Sequence, residues 1–121
     1  MTNAKALIVE DEIFVALDLE RILADRGYDV VGIAADRAEA MEHAGECSIA
    51  FVDVNLRDGR TGPDIGRTLL EDHQVSVVFV TANPEQLGSM AQRAVTCVQK
   101  PFRDDLIVAA AAMACGRPRA A

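Results

Sequence analysis

Five short runs of apolar residues, spread along the whole chain, constrain its fold more than any other feature of the sequence. Each run is four or five residues long and rich in valine and isoleucine. Four of them lack the alternation of apolar and polar residues that marks a strand with one solvated face. Such continuous runs are typical of strands covered on both faces, as in parallel sheets. The five predicted strands are residues 6–9, 30–34, 49–52, 77–80 and 95–98.

The segments between these runs have the periodicity of helices. In the first segment Val15, Leu19, Ile22 and Leu23 form one apolar stripe, and Gly27 follows where a left-handed residue usually ends a helix. Four more helices are predicted, of which the fourth is weak because Gly88 interrupts it. They cover residues 36–44 with Asp36 as N-cap, a segment starting with Pro63 at its first helical position, residues 84–94 and residues 104–115.

The predicted order is therefore a strand followed by a helix, repeated five times. This order predicts an α/β fold, a doubly wound five-stranded parallel sheet of (βα)5 type with helices on both faces. In open parallel sheets, ligands bind just beyond the carboxyl ends of the strands. The residues that directly follow each apolar run are thus the place to look for chemistry.

Size and charge narrow the class of protein. The 121 residues are half hydrophobic, enough for one domain over 1–121, with 116–121 as a short tail. Three widely spaced cysteines argue against a disulfide framework, and no apolar run reaches the roughly 18 residues that cross a bilayer. A net charge of −7 argues against nucleic-acid binding. We expect a cytoplasmic protein that binds neither nucleic acid nor membrane.

Polar residues follow four of the five runs. Glu10 and Asp11 follow the first, Asp53 the third and Thr81 the fourth, and Lys100 comes two residues after the fifth. Because the carboxyl ends of parallel strands meet at one edge of a sheet, we expect these side chains to converge. Three carboxylates, a hydroxyl and an ammonium would then share one site.

This set of groups favours phosphoryl chemistry with a divalent cation. Carboxylates held close together repel unless a cation joins them, and an all-oxygen ligand set selects Mg²⁺ or Mn²⁺. Asp53 is the best candidate nucleophile toward phosphorus because it ends a predicted central strand. Lys100 would offset the charge of a phosphoryl oxygen, and Thr81 would donate a hydrogen bond to another.

Four segments, in this order, resemble the receiver domain of response regulators. The resemblance covers essentially the whole chain. Residues 7–12 are similar to the family's acidic pair, and residues 50–53 are similar to its phosphoacceptor strand. Residues 80–82 match its hydroxyl position, which is followed here by Ala82. Residues 100–102 match its lysine–proline–aromatic signature, in which Pro101 is the proline.

The resemblance implies a role for each matching residue. Asp53 would accept a phosphoryl group from a histidine kinase or a phosphotransfer protein. Asp11 and Asp53 would bind Mg²⁺ directly, Glu10 would act largely through water, and the backbone carbonyl of Asn55 would complete the protein ligands. Thr81 and Lys100 would hold the phosphoryl group.

The resemblance also implies the strand order 2-1-3-4-5 and a cis peptide bond between Lys100 and Pro101. The chain would not be an enzyme but a phosphoacceptor that assists its own phosphorylation and dephosphorylation. A downstream protein, or a second copy in a homodimer, would contact the face made by the fourth helix, the fifth strand and the fifth helix.

Three departures from the family pattern concern the switch more than the acceptor. Glu10 stands where an aspartate is more usual. The loop at residues 55–62 lacks the usual proline and reaches its last glycine one residue late. Cys97 takes the place of the aromatic residue that normally moves with the threonine, so the usual coupling is not expected to operate. The fourth helix and the loop around residues 83–88 are the alternative switch elements, and Ala82 and Pro101 are further candidate switch residues.

Two other functions compete with a phosphorylated receiver. A phosphatase of the haloacid dehalogenase type also uses a nucleophilic aspartate, Mg²⁺ and lysine, but it needs a second aspartate at the position of Asn55. A pseudo-receiver would keep the fold as a protein-binding module without phosphorylation. The chain is expected to be either a single-domain regulator, which we favour, or a fragment of a longer one.

Overall fold

The computed structural model describes residues 4–116 and contains one five-stranded sheet. All neighbouring strands are parallel, and their order is β2-β1-β3-β4-β5, as the resemblance implied. The predicted α/β fold is thus confirmed. The strands are β1 (Lys5–Val9), β2 (Asp29–Ala34), β3 (Ile49–Val52), β4 (Ser76–Thr81) and β5 (Thr96–Gln99).

Four α-helices and two short 3-10 helices connect these strands, and a fifth α-helix follows β5. The 3-10 helices are Ala44–Glu46 and Pro84–Leu87. None of the helices among residues 4–116 is long and apolar enough to cross a membrane. The α-helices are α1 (Ile13–Asp25), α2 (Arg37–Glu42), α3 (Gly62–His73), α4 (Met90–Arg93) and α5 (Asp104–Cys115).

Apolar side chains on both faces of the sheet form two core layers. Ala6 and Ile8 of β1 pack with the buried side chains of α1 and α5, whereas Leu7 and Val9 pack with those of α2, α3 and α4. All four residues of β3 are buried. The continuous apolar runs are therefore covered on both sides, and β3 lies in the middle of the sheet.

Most local signals in the sequence act as predicted. Gly27 has a φ of 86° after α1, and Asp36 caps α2 by accepting a hydrogen bond from the Glu39 N–H at 2.9 Å. Pro63 is the second rather than the first residue of α3, and α2 ends at Glu42, two residues early. Apart from Gly116, the predicted tail lies outside the described residues.

The predicted weak fourth helix is divided in two. A 3-10 turn at Pro84–Leu87 is followed by Gly88, whose φ of 60° and ψ of −138° are incompatible with an α-helix. The α-helix that follows, α4, is a single turn. Leu87 and Met90 anchor this segment in the core. Gly88, which made the predicted fourth helix weak, is thus the residue at which the helix is interrupted.

Candidate functional site

The carboxyl ends of β1 and β3 bring three acidic side chains together. Glu10, Asp11 and Asp53 each offer a carboxylate oxygen, and these oxygens all lie within 4.8 Å of one another. Glu10 and Asp53 are buried, with 2% and 7% of their surface exposed, while Asp11 is open to solvent. The expected convergence of these residues is observed.

Lys100 reaches into this cluster from the end of β5. Its Nζ lies 2.8 Å from Asp53 Oδ2, 2.7 Å from Glu10 Oε1 and 3.2 Å from Glu12 Oε1. The Lys100 side chain is 12% exposed, so its contacts with buried Glu10 and Asp53 are largely screened from water. The Lys100–Pro101 peptide is cis, as predicted, and the Lys100 N–H donates to the Thr81 carbonyl at 3.0 Å.

The charges in the cluster do not balance. Burial raises the pKa of Glu10 to about 7, although contacts with Lys100 and the Glu12 N–H oppose the shift. Burial lowers the pKa of Lys100, but its hydrogen bonds with Asp53 and Glu10 outweigh this and raise it above the ordinary value. One ammonium thus serves several carboxylates. An additional cation with oxygen ligands fits both the charge deficit and the donor set.

The two oxygens of the Asp53 carboxylate have different partners. Oδ1 accepts a hydrogen bond from the Val54 N–H at 2.7 Å, and Oδ2 contacts Lys100. The Asp53 N–H in turn donates to the Val9 carbonyl at 2.9 Å, which fixes the backbone to β1. The carboxylate is therefore held in one orientation at the end of the central strand.

Thr81 is the last residue of β4 rather than the first residue after it, and it is fully buried. Its hydroxyl oxygen accepts a hydrogen bond from the Asn83 N–H at 3.0 Å. This bond fixes the turn that carries Ala82, which is exposed beside the site. A role of Thr81 in holding a phosphoryl group stays a prediction.

Asn55 and Ala82 line a pocket of 290 Å³ together with the predicted site residues Asp11, Asp53 and Lys100. The Asn55 side chain donates to Gln86 Oε1 at 3.0 Å, linking the end of β3 to the 3-10 turn before α4. The assignment of the Asn55 carbonyl as a metal ligand stays a prediction. Sequence reasoning missed both Gln86, for which no sequence signal exists, and the partnership of Glu12 with Lys100.

The loop between β3 and α3 is tied to the start of α2. Arg57 Nη2 lies 2.6 Å from Asp36 Oδ2 and 3.1 Å from Glu39 Oε2. Asp58 accepts hydrogen bonds from the Thr61 hydroxyl at 2.6 Å and the Arg37 N–H at 3.1 Å. The loop that departs from the family pattern is thus held by polar contacts in place of the missing proline.

The two remaining predicted switch residues lie on β5 and just after it. Cys97 is half-buried opposite Phe79 of β4 and packs against the core layer that contains α3 and α4, and burial raises the pKa of its thiol. Pro101 is exposed next to Lys100. A switch that works without an aromatic residue at Cys97 stays a prediction.

Comparison with known proteins agrees with this fold. A family model described as "Response regulator receiver domain" matches residues 6–112. The chain belongs to this family. The receiver is thereby favoured over the phosphatase of the haloacid dehalogenase type.

Two curated proteins and one solved structure illustrate the similarity. The chain is 37% identical over 101 residues to Phyllosphere-induced regulator PhyR of Methylorubrum extorquens, covering 80% of this chain and 38% of PhyR. It is 30% identical over 120 residues to transcriptional regulatory protein PdtaR of Mycobacterium tuberculosis, covering 95% and 58%. The solution structure of the Erythrobacter litoralis PhyR REC domain matches with a TM-score of 0.88 at 30% identity, covering 100% of this chain and 98% of that one.

The chain therefore spans 38% and 58% of the length of the two curated relatives. The choice between a single-domain regulator and a fragment stays a prediction, as does the domain extent of 1–121.

Proposed function

We propose that this receiver domain is a phosphoryl-accepting switch in which Asp53 takes a phosphoryl group from a histidine kinase or a phosphotransfer protein. One observation carries the proposal. The Asp53 carboxylate is fixed through Oδ1 while Oδ2 lies against an ammonium, within a cluster of three carboxylates that share this one ammonium. Such a group can attack phosphorus because the charge on the transferred group is offset on two sides.

The proposed transfer is a simple displacement. An oxygen of Asp53 forms a bond to phosphorus while the bond from phosphorus to the donor breaks. The electron pair of that bond leaves with the imidazole of a phosphohistidine or with the acetate of acetyl phosphate. Lys100 neutralises one phosphoryl oxygen, and Thr81 donates a hydrogen bond to another. The chain acts as acceptor rather than as a turnover enzyme.

Asp11, Asp53 and, through water, Glu10 would hold a divalent cation, with Asn55 as a further candidate ligand. These residues supply hard oxygen donors, which suit Mg²⁺ or Mn²⁺. Bound Mg²⁺ would contribute charge stabilisation to the transferred phosphoryl group. The two residues after β1 differ in exposure. Glu10 is buried inside the cluster, whereas Asp11 faces solvent.

Incubation of the purified chain with acetyl phosphate tests this function. We expect a mass increase of one phosphoryl group that needs Mg²⁺, and peptide mapping should locate it on Asp53. Correctly folded protein that never gains mass, either from acetyl phosphate or from a cognate kinase, would support the pseudo-receiver. Continuous hydrolysis of a generic phosphate ester would support a phosphatase.

An apolar groove next to the site supports a protein donor. It measures 730 Å³ and shares Glu12, Ala82 and Lys100 with the pocket around Asp53. On its α1 side, Phe14 and Leu17 are 84% and 45% exposed. Exposed aromatic residues of this kind are typical anchors of protein interfaces. We assign the groove to the histidine-bearing donor because a phosphoryl group must enter beside Lys100.

Substitution of Phe14 by Ala should separate the two kinds of donor. Transfer from a phosphohistidine protein should slow about 10-fold or more, because an exposed aromatic anchor is lost. Phosphorylation by acetyl phosphate should not change, since Phe14 does not line the pocket that contains Asp53. Both rates can be followed by intact-protein mass spectrometry or radiolabel.

Met113→Ala is the matched control, because Met113 is 54% exposed on α5 and does not line the groove. It should leave both rates unchanged. Equal slowing of the two donors by Phe14→Ala would place the effect in the acceptor site and would contradict the docking assignment.

A downstream partner or homodimer at the α4–β5–α5 face remains part of the proposal.

A further inference from the structure

Gly62, the first residue of α3, lies directly against the backbone of the phosphoacceptor. A Cβ atom on Gly62 would lie 1.9 Å from the Asp53 carbonyl oxygen and 2.6 Å from Val54 Cα. The Gly62 N–H also donates to the Val54 carbonyl at 3.0 Å. Glycine is needed here for close approach, not for a left-handed conformation, since its φ is not positive.

This contact differs from those of the other tightly packed glycines that the structure describes. A Cβ on Gly32 would meet the His43 ring at 2.6 Å, and one on Gly66 would meet Phe79 Cζ at 2.7 Å. Those neighbours are side chains, so neither contact presses on the main chain that carries Asp53. At Gly62 the neighbour is the peptide between Asp53 and Val54, which can move only together with the residues of the site.

That peptide carries the orientation of the acceptor. The Asp53 N–H is bonded to β1, and the Val54 N–H is bonded to Asp53 Oδ1. A side chain at position 62 would have to open its 1.9 Å contact to at least 3.0 Å. The displaced peptide would shift Asp53 relative to Asp11 and Lys100, which are held by other strands.

We propose that Gly62 is a positioning residue that sets the place of the Asp53 carboxylate and of the following backbone relative to Asp11 and Lys100. The inference rests on the proposed function, because it concerns the same acceptor. It gives the late glycine of the 55–62 loop a specific task. That loop needs a residue without a side chain where α3 begins, and the hydrogen bond from the Gly62 N–H to the Val54 carbonyl ties this start of the helix to the residues after β3.

The test compares Gly62→Ala with Gly66→Ala, a control in the same helix whose new methyl group meets a side chain. Unfolding free energy is measured in urea with and without Mg²⁺, because the increase caused by Mg²⁺ reports the affinity of the folded state whatever the starting stability. We expect the Mg²⁺ dissociation constant of Gly62→Ala to rise about 10- to 100-fold, as for residues that orient metal ligands. Gly66→Ala should lose stability but keep the affinity.

A second measurement needs no metal. In the metal-free protein, the amide resonances of Asp53 and Val54 should shift in Gly62→Ala and stay in place in Gly66→Ala. Phosphorylation by acetyl phosphate should slow about 100-fold in Gly62→Ala, the cost of a displacement near 1 Å at a reacting group. If Gly62→Ala unfolds in buffer, all variants are compared in sucrose, which favours the folded state.

The outcomes separate the inference from the proposed function. A wild-type chain without Mg²⁺ response or phosphorylation would refute the proposed function, while the amide resonances would still decide the role of Gly62. Wild-type affinity and unshifted Asp53 and Val54 resonances in Gly62→Ala would overturn the inference alone. Failure of Gly62→Ala to fold even in sucrose would show that Gly62 serves only the fold and would also overturn it.

Discussion

Asp53→Asn should abolish phosphorylation of the chain by acetyl phosphate and by a phosphohistidine protein. The amide has the shape of the carboxylate, but it is uncharged and therefore a far weaker nucleophile toward phosphorus. Its oxygen can still accept the hydrogen bond from the Val54 N–H, so the backbone at the end of β3 should stay in place. Intact mass and peptide mapping provide the measurement.

Asp25→Asn is the matched control for this substitution. Its side chain is 69% exposed on α1, away from the carboxylate cluster. It should be phosphorylated like the wild type, and circular dichroism should show that both variants are folded. Equal labelling of Asp53→Asn and the wild type, or a phosphoryl group mapped to another residue, would disprove the assignment of the nucleophile.

Lys100→Met should impair both stability and phosphoryl transfer. In the metal-free chain it would leave buried Glu10 and Asp53 without their ammonium. We expect the free energy of unfolding to fall by about 3 kcal/mol, the low end of the cost of breaking a buried pair, because Glu10 can take up a proton. Phosphorylation should slow roughly 100- to 1,000-fold, as for other lost charge-stabilising groups.

Mg²⁺ should restore part of the stability lost in Lys100→Met, because a second cation relieves the same repulsion. Urea unfolding with and without Mg²⁺ measures this recovery. Lys5→Met is the control, since Lys5 is exposed at the other end of the sheet and is the only other lysine of the chain. A metal-free Lys100→Met as stable as Lys5→Met would mean that the ion pairs contribute nothing to folding.

The sequence predicted the fold well because each strand carries its own signal. Four residues in a row are buried in β3, and no alternation was needed to recognise it. The convergence of Asp53 and Lys100 followed from the topology alone, since parallel strands end at one edge. Gly88 also acted locally, and the fourth helix broken at that residue was already predicted to be weak.

Other features depend on distances that a sequence does not contain. Nothing in the spacing of Glu12 and Lys100 indicates their 3.2 Å contact, and nothing in the spacing of Asn55 and Gln86 indicates their 3.0 Å hydrogen bond. The role of Gly62 was hidden for the same reason, because close approach of two backbones leaves no sequence pattern beyond a single glycine. Helix ends, such as that of α2, shifted by one or two residues where 3-10 turns continue them.

The divided helical segment between β4 and β5, residues 84–93, has few buried anchors although it lies next to the fully covered sheet. Leu87 and Met90 are its main apolar anchors, whereas the sheet beneath it is buried on both faces. Local openings occur where buried contacts are few, so we expect residues 84–93 to open at a lower free energy than the five hydrogen-bonded strands. The segment would then have a closed and a detached form. A binding protein that recognises only one of them could draw the whole population into that form with modest affinity.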